Sequence, residues 1–135
     1  MKLEELLKER TVVFVANIFD QDNVKVKAMD IQQVKDGKVY ISTSVKGNMI
    51  SELEANSNIS FTQFNRGIYT RVAGKAKFLE GEEQSEVLEY MIQNNPGLVS
   101  MYTEDGIRSN CRVFTIDNMQ VWAKDFKNQE EITID

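Results

Sequence analysis

Short runs of β-branched and aromatic residues, separated by turn signals, limit the possible folds of this chain more than any other feature. The run TVVFVANIF from Thr11 to Phe19 predicts a buried strand, and a second strand follows from Val24 after a polar turn. The clearest turn signal is Asp36-Gly37, because a two-residue hairpin needs positive φ angles that Gly adopts without steric cost. A third strand begins at Lys38. These signals predict three consecutive antiparallel strands.

The second half of the chain continues the same pattern. A fourth strand is predicted from Ile59, and a fifth covers Ile68 to Leu79, where Gly74 indicates a bend or bulge. The runs CRVFTI and MQVWA predict a last hairpin around Asp117 and Asn118. Three amphipathic helices are predicted at the ends of these strands, the longest from Glu82 to Asn94 with an apolar stripe of Val87, Leu88, Met91 and Ile92. The predicted fold class is therefore α+β, a mostly antiparallel β-barrel of six to seven strands flanked by short helices.

The alternation in the second strand predicts which side chains enter the core. Val24, Val26 and Ala28 alternate with Lys25 and Lys27. Successive side chains of a strand point to opposite faces. We expect the valines to face the core and the two lysines to share the opposite face.

Size and composition restrict the function. The 135 residues predict a single domain, residues 1–135. The net charge of −5 at pH 7 disfavours nucleic acid as a partner. The absence of His excludes His-based triads and imidazole metal sites, so no metal site is expected, and the single Cys111 excludes an internal disulfide. The segment MKLEELLKER resembles neither a signal peptide nor a membrane span, which favours a cytoplasmic location without membrane association.

The stretch after the third strand combines small donors with a cation. Ser42 and Thr43 are followed by Lys46, Gly47 and Asn48, and a helical pattern begins there. Unpaired N–H groups at a helix start, with hydroxyls and a cation beside them, suit an anion such as phosphate. The alternative is ordinary capping of the helix, for which Ser, Gly and Asn are also typical.

Three other residues have two open interpretations each. Lys27 is brought near the end of the third strand by the Asp36-Gly37 hairpin, so Lys27 and Lys46 either bind one phosphate together or are separate solvated side chains. Arg71 lies in an apolar strand segment and is either functional or exposed to water. Trp122 either stacks on a flat ring or fills the core.

Cys111 has no basic neighbour on its own strand face, which indicates an inert thiol.

Four short segments in this order resemble the pyridoxamine 5′-phosphate oxidase-like family, the flavin-binding split β-barrels. They are DGKVYISTS, ELEANSNISF, RVAGKAKFLE and the closing VWAKDF. The resemblance covers nearly the whole chain, from about Thr11 to Phe126. The resemblance implies a split barrel that binds FMN. The chain has Gln32 where pyridoxamine phosphate oxidases carry a substrate-binding Lys, so the resemblance does not extend to vitamin B6 oxidation.

The resemblance also implies site residues. The FMN phosphate would be held by residues of the second strand and of the loop after the third strand: Lys27, Thr43, Lys46, Gly47, Asn48 and Met49. The isoalloxazine ring would lie along Ala28 and Met29 of the second strand and Ile41 and Ser42 of the third, largely through backbone groups. Family members are usually homodimers with the cofactor at the interface, which implies that Arg71 and Trp122 reach it from the other chain.

Three functions follow from the resemblance. The first is a homodimeric FMN-dependent oxidoreductase that acts on a small-molecule redox substrate, with no side chain required as acid or base for the flavin half-reaction. The second is a non-catalytic module on the same barrel that binds flavin, deazaflavin or haem as a sensor or carrier. The third is an empty barrel that acts only through dimerisation.

Overall fold

The computed structural model describes residues 1–135 as seven strands and five short helices. The strands are β1 (Val12–Phe19), β2 (Asn23–Lys35), β3 (Lys38–Ser44), β4 (Asn58–Asn65), β5 (Ile68–Phe78), β6 (Cys111–Asp125) and β7 (Glu130–Ile132). The helices are α1 (Leu3–Leu6), α2 (Met49–Ala55), α3 (Gly81–Asn94), α4 (Pro96–Tyr102) and α5 (Glu104–Asn110). No helix combines the length and the apolar character that crossing a membrane requires.

Six of the strands close into a barrel. Their order is β3-β2-β1-β4-β5-β6, every pairing in it is antiparallel, and β6 also pairs with β3 to complete the circle. Closure pairs most of the strand edges that an open sheet would present to other chains. The short strand β7 adds to the end of β6. The predicted α+β barrel is therefore confirmed, with six strands in the barrel and one outside it.

The core fills the barrel and continues under the helices. Seventeen buried residues form the larger cluster, in which Phe61 of β4 and Phe114 of β6 are among the largest fully buried side chains. A second cluster of seven buried residues lies beneath α3, whose Val87, Leu88 and Met91 form its inward stripe. The helical pattern predicted for this segment is confirmed.

The prediction for the faces of β2 was wrong. Val24 and Val26 are each 64% exposed, and Ala28 is exposed as well. Lys25 and Lys27 lie on the other face and are partly buried, because both bind Glu52 of α2, which covers them. Alternation predicts that a strand has two different faces, but which face is covered depends on the elements packed against it.

The predicted hairpin around Asp117 and Asn118 was also wrong, because both predicted strands belong to the single strand β6. Its first half pairs with β3 and β5, and its second half pairs with β5 and β7. Asn118 has a φ of 52°, at the point where the register between β5 and β6 shifts. A turn signal inside a long strand here marks a bulge that bends the strand around the barrel.

Gly74 lies on β5 opposite this bulge, as its position in the sequence predicted. A Cβ atom at Gly74 would lie 2.6 Å from the carbonyl oxygen of Asp117 and 2.6 Å from Cγ2 of Ile116. The first of these neighbours is backbone and cannot move without disturbing the bulge. The close approach of β5 and β6 therefore requires Gly at this position.

Replacing Gly74 with alanine is expected to lower the free energy of unfolding by about 1–3 kcal/mol, the usual cost of forcing an extra methyl group into a packed site. Urea denaturation monitored by far-ultraviolet circular dichroism would measure the loss. Gly97→Ala is the matched control, because a Cβ there would meet nothing closer than 3.8 Å and alanine favours helix α4. Equal stability of the two variants would contradict the close approach described above.

Candidate functional site

The barrel opens where β2 and β3 separate. These strands pair only from Ile31 to the hairpin, with a register shift between Ile31 and Gln33. Residues 23–30 of β2 pair with β1 alone, and Ser42–Ser44 of β3 pair with β6. Each strand therefore has one edge without a strand partner in this region. The backbone N–H and C=O groups of such an edge can bind a ligand.

A cavity of about 380 Å³ lies between these two edges. Its volume is within the range of about 300–1,000 Å³ that is typical of small-molecule sites. Half of its lining residues are hydrophobic, a composition that suits a flat apolar ring with a polar periphery. The lining residues are Val12, Lys27, Ala28, Met29, Asp30, Gln32, Ser42, Thr43, Ser44, Met49, Leu98, Tyr102, Asn110 and Cys111.

The structure brings six of the twelve site residues predicted from the sequence to this cavity. They are Lys27, Ala28, Met29, Ser42, Thr43 and Met49. Ile41 is the neighbour of Ser42, but it is fully buried in the core. Lys46, Gly47 and Asn48 lie in the exposed turn that joins β3 to α2. Arg71 and Trp122 lie on β5 and β6, away from the cavity.

Sequence reasoning missed the wall of the cavity that comes from the second half of the chain. Leu98 and Tyr102 belong to α4, Asn110 ends α5, and Cys111 begins β6. No local pattern distinguishes these residues, because only tertiary contacts bring them to the cavity. Ser44 pairs with Cys111, and Nδ2 of Asn95, the N-cap of α4, donates to Oε1 of Gln32. Burial raises the pKa of the Cys111 thiol, so this wall presents a neutral sulfur at physiological pH.

Lys27 already has an anionic partner. Its Nζ donates a hydrogen bond of 2.7 Å to Oε1 of Glu52, and Nζ of Lys25 donates one of 2.6 Å to Oε2. Nδ2 of Asn17 donates a further bond of 3.1 Å to Oε1. The Glu52 side chain is only 11% exposed. The hydrogen bonds from Lys25 and then Lys27 lower the pKa of Glu52 to about 2, so this carboxylate is ionised at neutral pH.

Lys46 lies in the turn between β3 and α2, and unlike Lys27 it is not held by a carboxylate. The Lys46 side chain forms no ion pair, and its backbone N–H donates to Oγ of Ser44 at 3.1 Å. Asn48 is the N-cap of α2, yet its side chain makes no capping hydrogen bond and its backbone is already helical. The capping interpretation of this stretch therefore finds no support at Asn48. The turn leads directly to Met49, which lines the cavity.

Arg71 and Trp122 form a pair on the outside of the barrel. They are opposite each other in the β5–β6 register, and the Arg71 guanidinium carbon lies 4.9 Å from the centre of the Trp122 ring. A cation above an indole ring is held by the ring quadrupole. Arg71 is exposed and Trp122 is half-buried, so Trp122 does not fill the core as one interpretation supposed.

The outer surface of β2, β1 and β4 is largely apolar. Phe14 of β1 is 63% exposed and lies opposite Ala28 of β2 and Thr62 of β4. We call this surface the apolar face. Its exposed large side chains are Val12, Phe14, Val24, Val26 and Phe64. Contiguous exposed apolar surface of this kind marks an interaction site.

The cavity and the apolar face meet. Val12 and Ala28 line the cavity, and both are exposed on the apolar face. The Arg71–Trp122 pair extends the same outer surface, because Arg71 is opposite Thr62 and Thr62 is opposite Phe14. A molecule that covered the apolar face would therefore also cover one side of the cavity.

No family model matches the chain, and no curated protein matches it either. Several solved structures are similar to it. A NimC/NimA family protein of Clostridium acetobutylicum has a TM-score of 0.73 at 22% identity, over 95% of this chain and 88% of that one. A protein of the same organism related to general stress protein 26, of the pyridoxinephosphate oxidase family, has a TM-score of 0.61 at 20% identity, over 90% and 82%.

A pyridoxamine 5′-phosphate oxidase-related, FMN-binding protein of Nostoc punctiforme has a TM-score of 0.59 at 9% identity, over 90% of this chain and 84% of that one. At such identities the likeness concerns the fold alone. The chain has the barrel fold of the pyridoxamine 5′-phosphate oxidase-like proteins, and the resemblance found in the sequence is confirmed at this level.

Proposed function

We propose that this chain is an FMN-binding oxidoreductase that works in the cytoplasm as a homodimer on a small-molecule redox substrate. The observation that carries the proposal is the cavity between the separated edges of β2 and β3, lined by six of the residues that the sequence resemblance assigned to FMN. The similarity of the fold to an FMN-binding protein supports it further.

The residues of the cavity fit the parts of FMN. The backbone of Ala28 and Met29 on one edge and of Ser42 on the other offers donors and acceptors to the polar rim of the ring. Met49 and Leu98 would supply apolar contact to the ring.

The phosphate of FMN would be held by other residues. The Thr43 hydroxyl would supply a hydrogen bond and Lys27 a positive charge, and Lys46 would add a second cation from the adjoining turn.

FMN, when bound, supplies hydride or electron transfer. This chain contributes binding, orientation and the exclusion of water. The neutral thiol of Cys111 and the hydroxyls of Ser42 and Thr43 line the cavity without adding charge to it. The sequence contains no His, which is compatible with this proposal because the flavin half-reaction requires no side chain as an acid or base.

A second copy of the chain is the proposed occupant of the apolar face. The face carries five large exposed apolar side chains and is continuous with the cavity at Val12 and Ala28. Two copies joined through it would bury these side chains and close the open side of each cavity. Arg71 and Trp122 extend the same outer surface. Their contact with the FMN of the other copy, which the resemblance implies, is part of this proposal.

The absorption spectrum of the purified protein, after incubation with FMN and gel filtration, tests the proposal. We expect a retained band at about 450 nm, where oxidised flavins absorb, and we expect NADH or NADPH to bleach it. A retained band that no reductant and substrate pair can cycle would indicate a carrier. A protein that emerges without the band, or with the spectrum of haem or a deazaflavin, would overturn the assignment of FMN.

A further inference from the structure

We infer that Glu52 competes with the phosphate of the ligand for Lys27 and so determines how strongly the site prefers a phosphorylated ligand to an unphosphorylated one. This inference rests on the proposed function for the identity of the ligand. It assigns a role to a residue that does not line the cavity and that the resemblance to flavoproteins did not identify.

Lys27 connects two environments. Its side chain lines the cavity, and its Nζ is bound to Glu52 at 2.7 Å. An ammonium group has three donors, but its position relative to one anion restricts what it can offer to another. Glu52 shares its one carboxylate between Lys25 and Lys27, so it balances the charge of Lys27 only in part. A phosphate in the cavity must still compete with Glu52 for Lys27.

Glu52 can release Lys27 without becoming an unpaired charge. Lys25 remains at 2.6 Å from its Oε2, and Asn17 remains at 3.1 Å from its Oε1. Lys25 does not line the cavity and its Nζ lies 4.3 Å from the centre of the Phe19 ring, so it stays with the carboxylate. Leaving a buried charge without a partner would be costly, and Lys25 avoids that cost. The arrangement therefore permits Lys27 to move from Glu52 to a ligand phosphate.

The carboxylate acts against an incoming phosphate in two ways. It holds the cation that the phosphate needs, and its own negative charge repels the phosphate through a partly buried region where charges are weakly screened. A ligand without a phosphate experiences neither effect. Glu52 should therefore reduce the affinity for FMN while leaving the affinity for riboflavin unchanged.

Glu52→Gln tests this role because glutamine keeps the shape and an acceptor oxygen but removes the charge. We expect the affinity for FMN to rise roughly tenfold relative to riboflavin, measured by the quenching of flavin fluorescence on titration with the protein. Glu54→Gln is the matched control, since Glu54 belongs to the same helix, is exposed and forms no ion pair. The ratio of FMN affinity to riboflavin affinity of Glu54→Gln should equal that of the unmodified protein.

Lys25→Met is expected to lower the ratio of the affinity for FMN to the affinity for riboflavin, which is the opposite of the effect of Glu52→Gln. Without Lys25, Lys27 is the only cation paired with Glu52 and is held more strongly, so FMN should bind more weakly relative to riboflavin. This second variant keeps the inference testable if Glu52→Gln fails to fold. The inference would be overturned if the variants that fold had the same ratio of FMN affinity to riboflavin affinity as the unmodified protein.

Inorganic phosphate separates the failure of this inference from the failure of the proposed function. The shift of the unfolding temperature with added phosphate reports anion binding in the absence of any flavin. A larger shift in Glu52→Gln than in Glu54→Gln, with no binding of either flavin, would support the role of Glu52 and overturn the FMN assignment. Flavin binding with equal ratios and equal phosphate shifts would overturn the role of Glu52 alone.

Discussion

Replacing Phe14 with glutamate is expected to convert the proposed dimer into a monomer. Phe14 lies in the middle of the apolar face, between β2 and β4, and 63% of it is exposed in the single chain. In a dimer through this face, each glutamate would be buried among the apolar side chains that now surround Phe14. Burying an unpaired charge costs roughly 3 kcal/mol or more, which raises the Kd of the dimer at least about 100-fold.

The mass in solution, measured by size-exclusion chromatography with light scattering, checks this result. Met101→Glu is the control, because Met101 is also exposed and apolar but belongs to α4, outside the apolar face. We expect Met101→Glu to remain a dimer and Phe14→Glu to become a monomer that binds FMN more weakly. A Phe14→Glu protein that is still dimeric would place the interface elsewhere, and a monomeric unmodified protein would rule the dimer out.

Replacing Lys27 and Lys46 together with alanine should weaken the binding of FMN by about 100-fold and the binding of riboflavin only slightly. Each lysine is proposed to make a charge-assisted hydrogen bond with the phosphate. Such bonds contribute about 1.5–3 kcal/mol each, before the loss to solvent at the exposed Lys46. Loss of Lys27 also leaves Glu52 with fewer partners and a negative charge near the phosphate, which acts in the same direction.

The matched control removes the same charge, two lysines, from the hairpin end of β2 and β3. Lys35 and Lys38 are opposite each other beside the hairpin turn, and both are exposed. We expect Lys35→Ala with Lys38→Ala to leave both flavin affinities within about twofold of the unmodified values, since these lysines do not line the cavity. Isothermal titration calorimetry measures the dissociation constants of FMN and of riboflavin for both double variants and for the unmodified protein. Equal losses for the two ligands in the Lys27 and Lys46 variant would contradict the proposed phosphate contacts.

Local sequence signals predicted turns and bulges correctly where the backbone geometry requires one particular residue type. The Asp36-Gly37 turn has φ angles of 52° and 73°, the positive values that a tight hairpin needs. Gly74 is the glycine that the bulge between β5 and β6 requires. The same kind of signal misled at Asn118, whose positive φ belongs to a bulge inside β6 and not to a hairpin. Asn can adopt this conformation in either context, so the turn signal alone does not distinguish them.

The candidate site could be predicted in part, because the hairpin between β2 and β3 is local in sequence. The resemblance assigned Lys27, Ala28, Met29, Ser42, Thr43 and Met49 to one site, and in the structure these residues line one cavity. The opposite wall, from α4, α5 and the start of β6, depends on the contact of β3 with β6, which are more than 60 residues apart. Pairings of that kind leave no trace in a local pattern.

The sequence by itself determined that this chain forms an antiparallel barrel, since its strand runs, its turn residues and its family resemblance agree. The tertiary structure alone decided which face of β2 is covered, because α2 places Glu52 over Lys25 and Lys27 and leaves the valines exposed. The physical reason is that strand propensity and turn geometry act between neighbours in the chain, whereas burial and ion pairing depend on elements that meet only after the barrel closes.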